Sequence, residues 1–231
     1  MNLFYQPAIA KGIHHLNDDE SRHAVKVLRM KAGDQLHITD GQGSFYQATI
    51  SEADSRKCTF FILEKKSVPA RKSSIVIALA PTKNIDRTEW FVEKAVELGI
   101  DQIHFMLCQN SERKTVNMER IEKIAISAMK QSGQAWLPAC TGIKPFQQIL
   151  TISADQRFIC FVDQSNPDLL KSLATVGKEY LVLIGPEGDF REEELKQAMD
   201  HGFRKVSLGH NRLRTETAAL AACHTLNLIN L

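Results

Sequence analysis

The sequence predicts an α/β protein in two parts, a small β-barrel module followed by a larger domain built on a mostly parallel sheet. Three observations predict it. Residues 35–65 read as short, alternating, β-rich pieces; residues beyond 74 alternate strand-like runs with longer helical patterns; and a polar, basic linker containing Pro69, residues 65–74, lies between them. The expected domains are residues 1–70 and 73–231. At 231 residues, 43% hydrophobic and 24% charged, the chain has a globular composition and is long enough for two cores.

In chain order, a helical stretch over residues 19–28 comes first and breaks towards Gly33. Strands follow over residues 35–39, 45–50 and 59–63. They are separated by the turn clusters Asp40-Gly41-Gln42-Gly43 and Asp54-Ser55-Arg56-Lys57, which is the spacing of a small barrel. In the larger domain the strands are residues 75–80, 103–107, 158–162, 180–184 and 205–208. Helices are expected over 87–98, 118–131, 168–174, 191–201 and 215–229, with no internal repeat or low-complexity tract.

Several classes of function fall away on composition. Apolar runs such as 75–80 and 180–184 are far shorter than the roughly 20 residues of a membrane helix, so no membrane association is expected. The amino terminus lacks a basic start followed by a long apolar core, which points to a cytoplasmic protein. Cys58, Cys108, Cys140, Cys160 and Cys223 form no C-x-x-C pair and have no His at ligand spacing, so neither zinc nor another metal is expected. Cys58, Cys108 and Cys160 fall in or beside apolar runs, where a reduced thiol packs as a small hydrophobe. A formal net charge of +2 is too small to demand a polyanionic partner, so any nucleic-acid site must be local.

Residues 180–184 run into Gly185-Pro186-Glu187-Gly188-Asp189-Phe190 and then a charged helix, for which Asp189 is expected to cap and Glu192 to complete a capping box. A glycine turn between strand and helix commonly receives phosphate, but Glu187 and Asp189 would repel it. Neither G-x-x-x-x-G-K-[ST] nor G-x-G-x-x-G is present. The turn suits a neutral nucleoside carrying a cation. After the next strand, residues 207–218 lead into a helix bearing Ala218, Ala219, Ala221 and Ala222. Thr215 is the expected N-cap, with Glu216 beside the positive helix end. So little polar surface predicts burial against the domain or a second copy of the chain.

Ile184-Gly185-Pro186-Glu187-Gly188-Asp189-Phe190, with Leu208-Gly209 and Leu213-Arg214-Thr215-Glu216-Thr217-Ala218, resembles the paired signature of the knotted SPOUT methyltransferases. Within them it is similar to the bacterial family that methylates N3 of a uridine in small-subunit (16S) ribosomal RNA. The likeness covers nearly the whole chain. His23, Val27-Leu28-Arg29 and Gly33-Asp34 resemble that family's PUA-like, RNA-binding domain, and Lys83, residues 94–99, Ser111-Glu112-Arg113 and Gln131-Ser132-Gly133 resemble its central blocks. The resemblance implies a carboxy-terminal trefoil knot, an exception to the general absence of knots. It also implies a homodimer that completes the site. S-adenosylmethionine would lie bent between residues 185–189 and 208–217, near the end of strand 158–162. On matching positions its ligands would be Ile184, Gly185, Gly188, Leu208, Gly209, Leu213, Arg214 and Thr217. A valine at Gly188 would fill space the cofactor needs. The chain departs from the pattern at Asn211, Arg212, Lys130 and Gln134, and no Arg precedes Phe4.

Methyl transfer to a uridine nitrogen is an in-line displacement that depends chiefly on holding the reactants together. The charge left when N3 loses its proton calls for a positioned cation, and Arg214 is the catalytic candidate. Glu216 either orients Arg214 or the cofactor, or is only a helix-end charge. No general base stands out. Arg22, Lys26 and Arg29, with Lys31, Arg56 and Lys57, give the first domain a basic face for RNA; Lys83, Lys94 and Arg113 are further candidates for phosphate. Lys94 also has Glu93 and Glu97 within reach along its helix. His14, His15, His23 and His210 read as ordinary polar residues. Two other classes stay open: a non-catalytic RNA-binding protein, opposed by cofactor binding, and an NAD-dependent oxidoreductase, opposed by the missing dinucleotide fingerprint.

Overall fold

The computed structural model describes residues 2–163 and 168–231, so the first residue of the expected amino-terminal domain lies outside the described residues. The chain divides into two compact units, Met1–Ala70 with Ile126–Leu137, and Arg71–Ala125 with Pro138–Leu231.

The first unit holds β1 (Leu3–Tyr5), α1 (Asp18–Arg22), β2 (Gln35–Thr39), β3 (Ser44–Glu52) and β4 (Thr59–Ser67). These strands form one sheet in the order β1-β2-β3-β4, antiparallel except that β1 runs parallel to β2. The segment after β1 then covers the far edge of β4: Leu16 N–H donates to the Cys58 carbonyl at 2.9 Å, and Phe60 N–H donates to the His14 carbonyl at 3.1 Å. The sheet therefore curls around Phe4, Leu16, Ile38, Ile50 and Phe60, all buried. Asn17 caps α1 by accepting from Glu20 N–H at 2.8 Å. Past Arg22 the helix widens to a π-turn over His23–Val27, and the break expected at Gly33 is a left-handed residue, φ 92°. β1 is too short for any alternation in the sequence to betray it.

Two boundaries differ from expectation. Lys65, Lys66 and Ser67 are not linker but the end of β4, paired with Tyr46, Phe45 and Ser44. Residues 126–137, expected inside the larger domain, belong with the first unit: Gly43 N–H donates to the Ala135 carbonyl and Leu137 N–H donates to the Gly41 carbonyl, each at 2.9 Å. Gly43 also has no room for a side chain, since a Cβ there would collide with the Trp136 ring. Lys130, one of the departures from the family pattern, is ion-paired with Glu20.

The second unit contains β5 (Ser74–Leu79), α2 (Ile85–Glu97), β6 (Gln102–Leu107), α3 (Met118–Ser132, whose last turns belong to the first unit) and β7 (Ala139–Pro145). It continues through α4 (Phe146–Leu150), β8 (Gln156–Cys160), α5 (Leu170–Leu173), β9 (Glu179–Ile184), α6 (Glu192–Asp200), β10 (Arg204–Val206) and α7 (Thr215–Leu228). Its six strands are all parallel in the order β10-β8-β9-β5-β6-β7. The central β5 and β9 are buried on both faces, which is why they read as unbroken apolar runs. From β10 at the sheet edge the chain returns to the middle, where α7 packs on α2, β5 and β9. The implied knot requires such a return. Two strands end earlier than expected: β8 stops at Cys160 and β10 at Val206, which leaves Phe161, Val162, Ser207 and Leu208 as loop. The expected helix over 168–174 shrinks to the single turn Leu170–Leu173.

Candidate functional site

A cleft of about 550 Å³ opens at the carboxyl ends of β8, β9 and β10. Open parallel sheets place their ligands at this end of the strands. Phe161 and Val162 follow β8, Gly185, Pro186 and Glu187 follow β9, and residues 207–213 follow β10; Arg87 of α2 and Arg214, Thr215 and Ala218 at the start of α7 complete the lining. The volume lies within the range of about 300–1,000 Å³ usual for small-molecule sites.

The acids of the Gly185–Phe190 turn, read from the sequence as repelling an anion, fasten neighbouring loops together. Asp189 adopts φ 59°, a left-handed conformation that aspartate tolerates, and its carboxylate accepts from Val162 N–H at 3.0 Å and Phe190 N–H at 2.8 Å. It does not cap α6. That helix starts after Arg191, and the box residue is Glu194 rather than Glu192: buried Glu194 accepts from Arg191 N–H at 3.0 Å and from Gln109 N–H at 2.9 Å. Glu187 accepts from Lys83 N–H at 2.9 Å, and the Asn110 amide donates to the Gly188 and Asp189 carbonyls, both at 3.1 Å. These bonds tie the loops after β5, β6 and β9, and Val162 after β8, to one another.

The two glycine positions that line the cleft work differently. A Cβ on Gly185 would stand 3.0 Å from the Phe190 ring, so this glycine lets the turn close on its own aromatic residue. Gly209 has φ 134°, which L-residues rarely adopt, with open space around it. Its loop is braced by Ser207, whose hydroxyl donates to the Gly209 carbonyl at 2.9 Å.

Of the expected cofactor ligands, Ile184, Gly185, Leu208, Gly209, Leu213 and Arg214 line the cleft together. Gly188 and Thr217 do not. Gly188 makes room for Asn110, 3.3 Å from where its Cβ would be, so the reason expected for a Gly188→Val defect is replaced: the valine would press on Asn110 rather than fill ligand space. Thr217 is exposed on the first turn of α7. Arg214, not Thr215, occupies the N-cap position, and no side-chain hydrogen bond caps the helix. The Arg214 side chain is exposed. Glu216 is not beside it: its ion pair is with Arg87, at 3.9 Å. Arg87 went unremarked in the sequence because its partner is on a distant helix, and the only signal available was its position in the first turn of the helix that follows a strand. Desolvation pushes the Cys160 thiol up to about 12, so this lining residue is protonated at neutral pH and is no nucleophile. All five cysteines are unbridged.

The RNA-binding candidates are dispersed. Lys94 is held by Glu93 at 2.7 Å and Glu97 at 2.8 Å, and these contacts raise its pKa. Lys83 pairs with Glu112 at 2.8 Å. Arg113 donates to the Thr82 carbonyl at 3.0 Å and the Lys83 carbonyl at 2.6 Å, fixing the loop after β5. In the first unit Lys26 and Arg29 are exposed, and Arg22 makes only a surface contact to Asp19 at 3.5 Å. Among the described residues no group of His, Cys, Asp and Glu could hold a metal, and no helix is long and apolar enough to cross a membrane.

Residues 69–227 match the RNA methyltransferase domain family, and residues 16–63 match the RNA methyltransferase PUA domain family. A ribosomal RNA small subunit methyltransferase E of Buchnera aphidicola is 30% identical over 218 residues, covering 90% of this chain and 85% of its own. The chain belongs to the ribosomal RNA small subunit methyltransferase E family. Another member, from Rickettsia conorii, is 28% identical over 220 residues, 93% of this chain and 89% of that one. Among solved structures, a "probable rRNA-methyltransferase from Porphyromonas gingivalis" is 44% identical with a TM-score of 0.91, each chain covered to 99%. The small subunit methyltransferase E of Neisseria gonorrhoeae, solved bound to S-adenosyl methionine, is 25% identical with a TM-score of 0.84, covering 100% of this chain and 98% of its own. Membership of the methyltransferase E family accounts for both the amino-terminal barrel and the parallel sheet.

Proposed function

We propose that the protein is a cytoplasmic homodimer that methylates N3 of a uridine in small-subunit ribosomal RNA, with S-adenosylmethionine as the methyl donor. One observation carries the reading: Phe161 and Val162 after β8 and the loops after β9 and β10 line a cleft of nucleoside-binding size. Its chemistry fits the donor. Val162, Ile184, Leu208 and Leu213 offer apolar contact for an adenosine, while Gly185 and Gly209 bring backbone polar groups close. When bound, the sulfonium supplies an electrophilic methyl: N3, its proton given to water, donates its lone pair to the methyl carbon while the C–S electrons remain on sulfur. The chain itself supplies position and a cationic wall, for which Arg214 is the proposed catalytic residue. Mass spectrometry of ribosomal RNA from cells with and without the gene tests the reading; a uridine that is N3-methylated only when the gene is present is the expected result, and an unchanged methylation pattern refutes it.

The dimer is proposed from α7, where Leu228 is 54% exposed beside the polar Thr217 and His224, and cover by a second copy of the chain would take that apolar side chain out of water. Light scattering should give twice the chain mass; a monomer at micromolar concentration removes this part of the proposal. For RNA, the exposed Arg22, Lys26 and Arg29 of the first unit are the proposed backbone contacts, with Lys94 and Arg113 in the second; Lys83, expected among them, is paired with Glu112 and is not proposed for phosphate. Changing Arg22, Lys26 and Arg29 together to glutamate should weaken RNA binding. It should also flatten the slope of log affinity against log salt by about 2, since each phosphate that a side chain neutralises contributes about 0.7 to the slope for a single strand. An unchanged slope would make this face plain solvated surface.

A further inference from the structure

Two features that cofactor binding leaves unexplained meet at Arg87. The first is a second cavity, of about 480 Å³, lined by Lys83, Asn84, Arg87, Glu112 and Glu187. Arg87 and Glu187 also line the cofactor cleft, so the two cavities share a wall. The second is Glu216, whose side chain is only 10% exposed and whose Oε2 has no hydrogen-bond partner among the described residues. A carboxylate taken out of water is costly unless a cation compensates it. The nearest is Arg87, with Nε 3.9 Å from Glu216 Oε1. The Arg87 side chain remains 40% exposed, and its guanidinium has donors to spare for a ligand.

The lining of the second cavity identifies the ligand class. Two cations, Lys83 and Arg87, face two carboxylates, Glu112 and Glu187. Lys83 is already paired with Glu112 at 2.8 Å. A phosphate would meet the two acids, whereas a neutral ring with hydrogen-bonding edges meets donors and acceptors alike. A nucleobase turned out of its stack is such a ring.

We propose that the second cavity receives the acceptor uracil and that Arg87, positioned by Glu216, is a catalytic cation that holds a ring oxygen as N3 gives up its proton. The proposal rests on the uridine reading above. Loss of the N3 proton to water leaves one negative charge shared by O2 and O4, the oxygens flanking N3. From the wall common to both cavities, a guanidinium can touch one of them while N3 faces the cofactor side. Stabilisation of this kind depends on a donor fixed before the reaction, and Glu216 provides the fixing.

The test is steady-state methylation of small-subunit ribosomal RNA from cells lacking the gene, with the full chain and S-adenosylmethionine affinity measured by calorimetry. Arg87→Ala should lower kcat at saturating RNA by about 10²–10³, the range found when one preorganised donor is removed, with cofactor Kd within about threefold of wild type. Arg87→Lys should recover part of that loss. Glu216→Gln, which keeps shape and removes charge, should lower kcat about tenfold with KM for RNA unchanged, as expected when a transition-state contact is weakened. A wild-type kcat in Arg87→Ala overturns the proposal, and a cofactor Kd raised more than about tenfold overturns it by making Arg87 a cofactor ligand. Wild-type kcat in Glu216→Gln overturns the positioning role. If the wild-type chain places no methyl on uridine N3, the underlying reading falls and this proposal with it.

Discussion

Gly209→Ala is expected to weaken S-adenosylmethionine binding by about 5- to 150-fold while leaving the fold intact, because the substitution introduces backbone strain of about 1–3 kcal/mol at one loop position. An added Cβ meets nothing within 4 Å, so sterics within the protein play no part. The effect is conformational: at φ 134° an alanine is held where only glycine is comfortable. In the free protein the exposed loop can relax and lose the strain. Binding must restore the arrangement that puts Leu208 and Leu213 in the lining, so the cost reappears in the affinity. Gly185→Ala makes a useful contrast, since its backbone is ordinary and its new methyl group presses on the Phe190 ring instead. Calorimetry measures both. An unchanged Kd in Gly209→Ala, with the melting temperature also unchanged, would show that the loop conformation is irrelevant to the ligand.

How much of this site the sequence discloses depends on whether a residue acts through local or distant neighbours. The Gly185–Phe190 turn and the block from Leu208 to Arg214 are legible because each is a break in pattern directly after a strand-like run. Their lining role follows from strand polarity. The roles of Asp189 and Glu192 are misread for a local reason: capping depends on backbone angles, and with Asp189 at φ 59° the helix begins two residues later than the spacing suggests. Gly188 is misread because Asn110, which occupies the space beside it, comes from the loop after β6. Arg87 and Glu216 are illegible as a pair, since their contact exists only once α7 has returned to pack on α2. In the fold, the buried strands announce themselves, while β7 is half-buried, carries Gly142 and ends at Pro145, so neither alternation nor an apolar run marks it. The division of α3 between the two units is invisible for a different reason: the helical pattern is continuous, and its end is assigned by distant contacts, the ion pair of Lys130 with Glu20 and the bonds of Ala135 and Leu137, just past the helix, with Gly43 and Gly41.

Arg214→Ala is expected to reduce kcat by about 10²–10³, or about 2.7–4 kcal/mol of transition-state stabilisation, with smaller changes in the affinity for either ligand. Arg214 stands at the N-cap of α7, where its carbonyl accepts from Ala218 N–H at 2.8 Å, so the backbone is anchored while the side chain projects exposed along the cleft. Among the described residues no hydrogen bond or ion pair holds the guanidinium, in contrast to Arg87 with Glu216. With no carboxylate already neutralising it, this cation is available to the negative charge that appears on the base. Its loss should therefore be felt in turnover rather than in cofactor Kd. Combining Arg87→Ala with Arg214→Ala separates two arrangements. If both arginines stabilise the same delocalised charge, the double variant should lose less than the product of the two single losses; independent roles give the full product. Normal turnover of Arg214→Ala at saturating RNA would remove Arg214 from the chemistry and leave it as a surface cation of the loop.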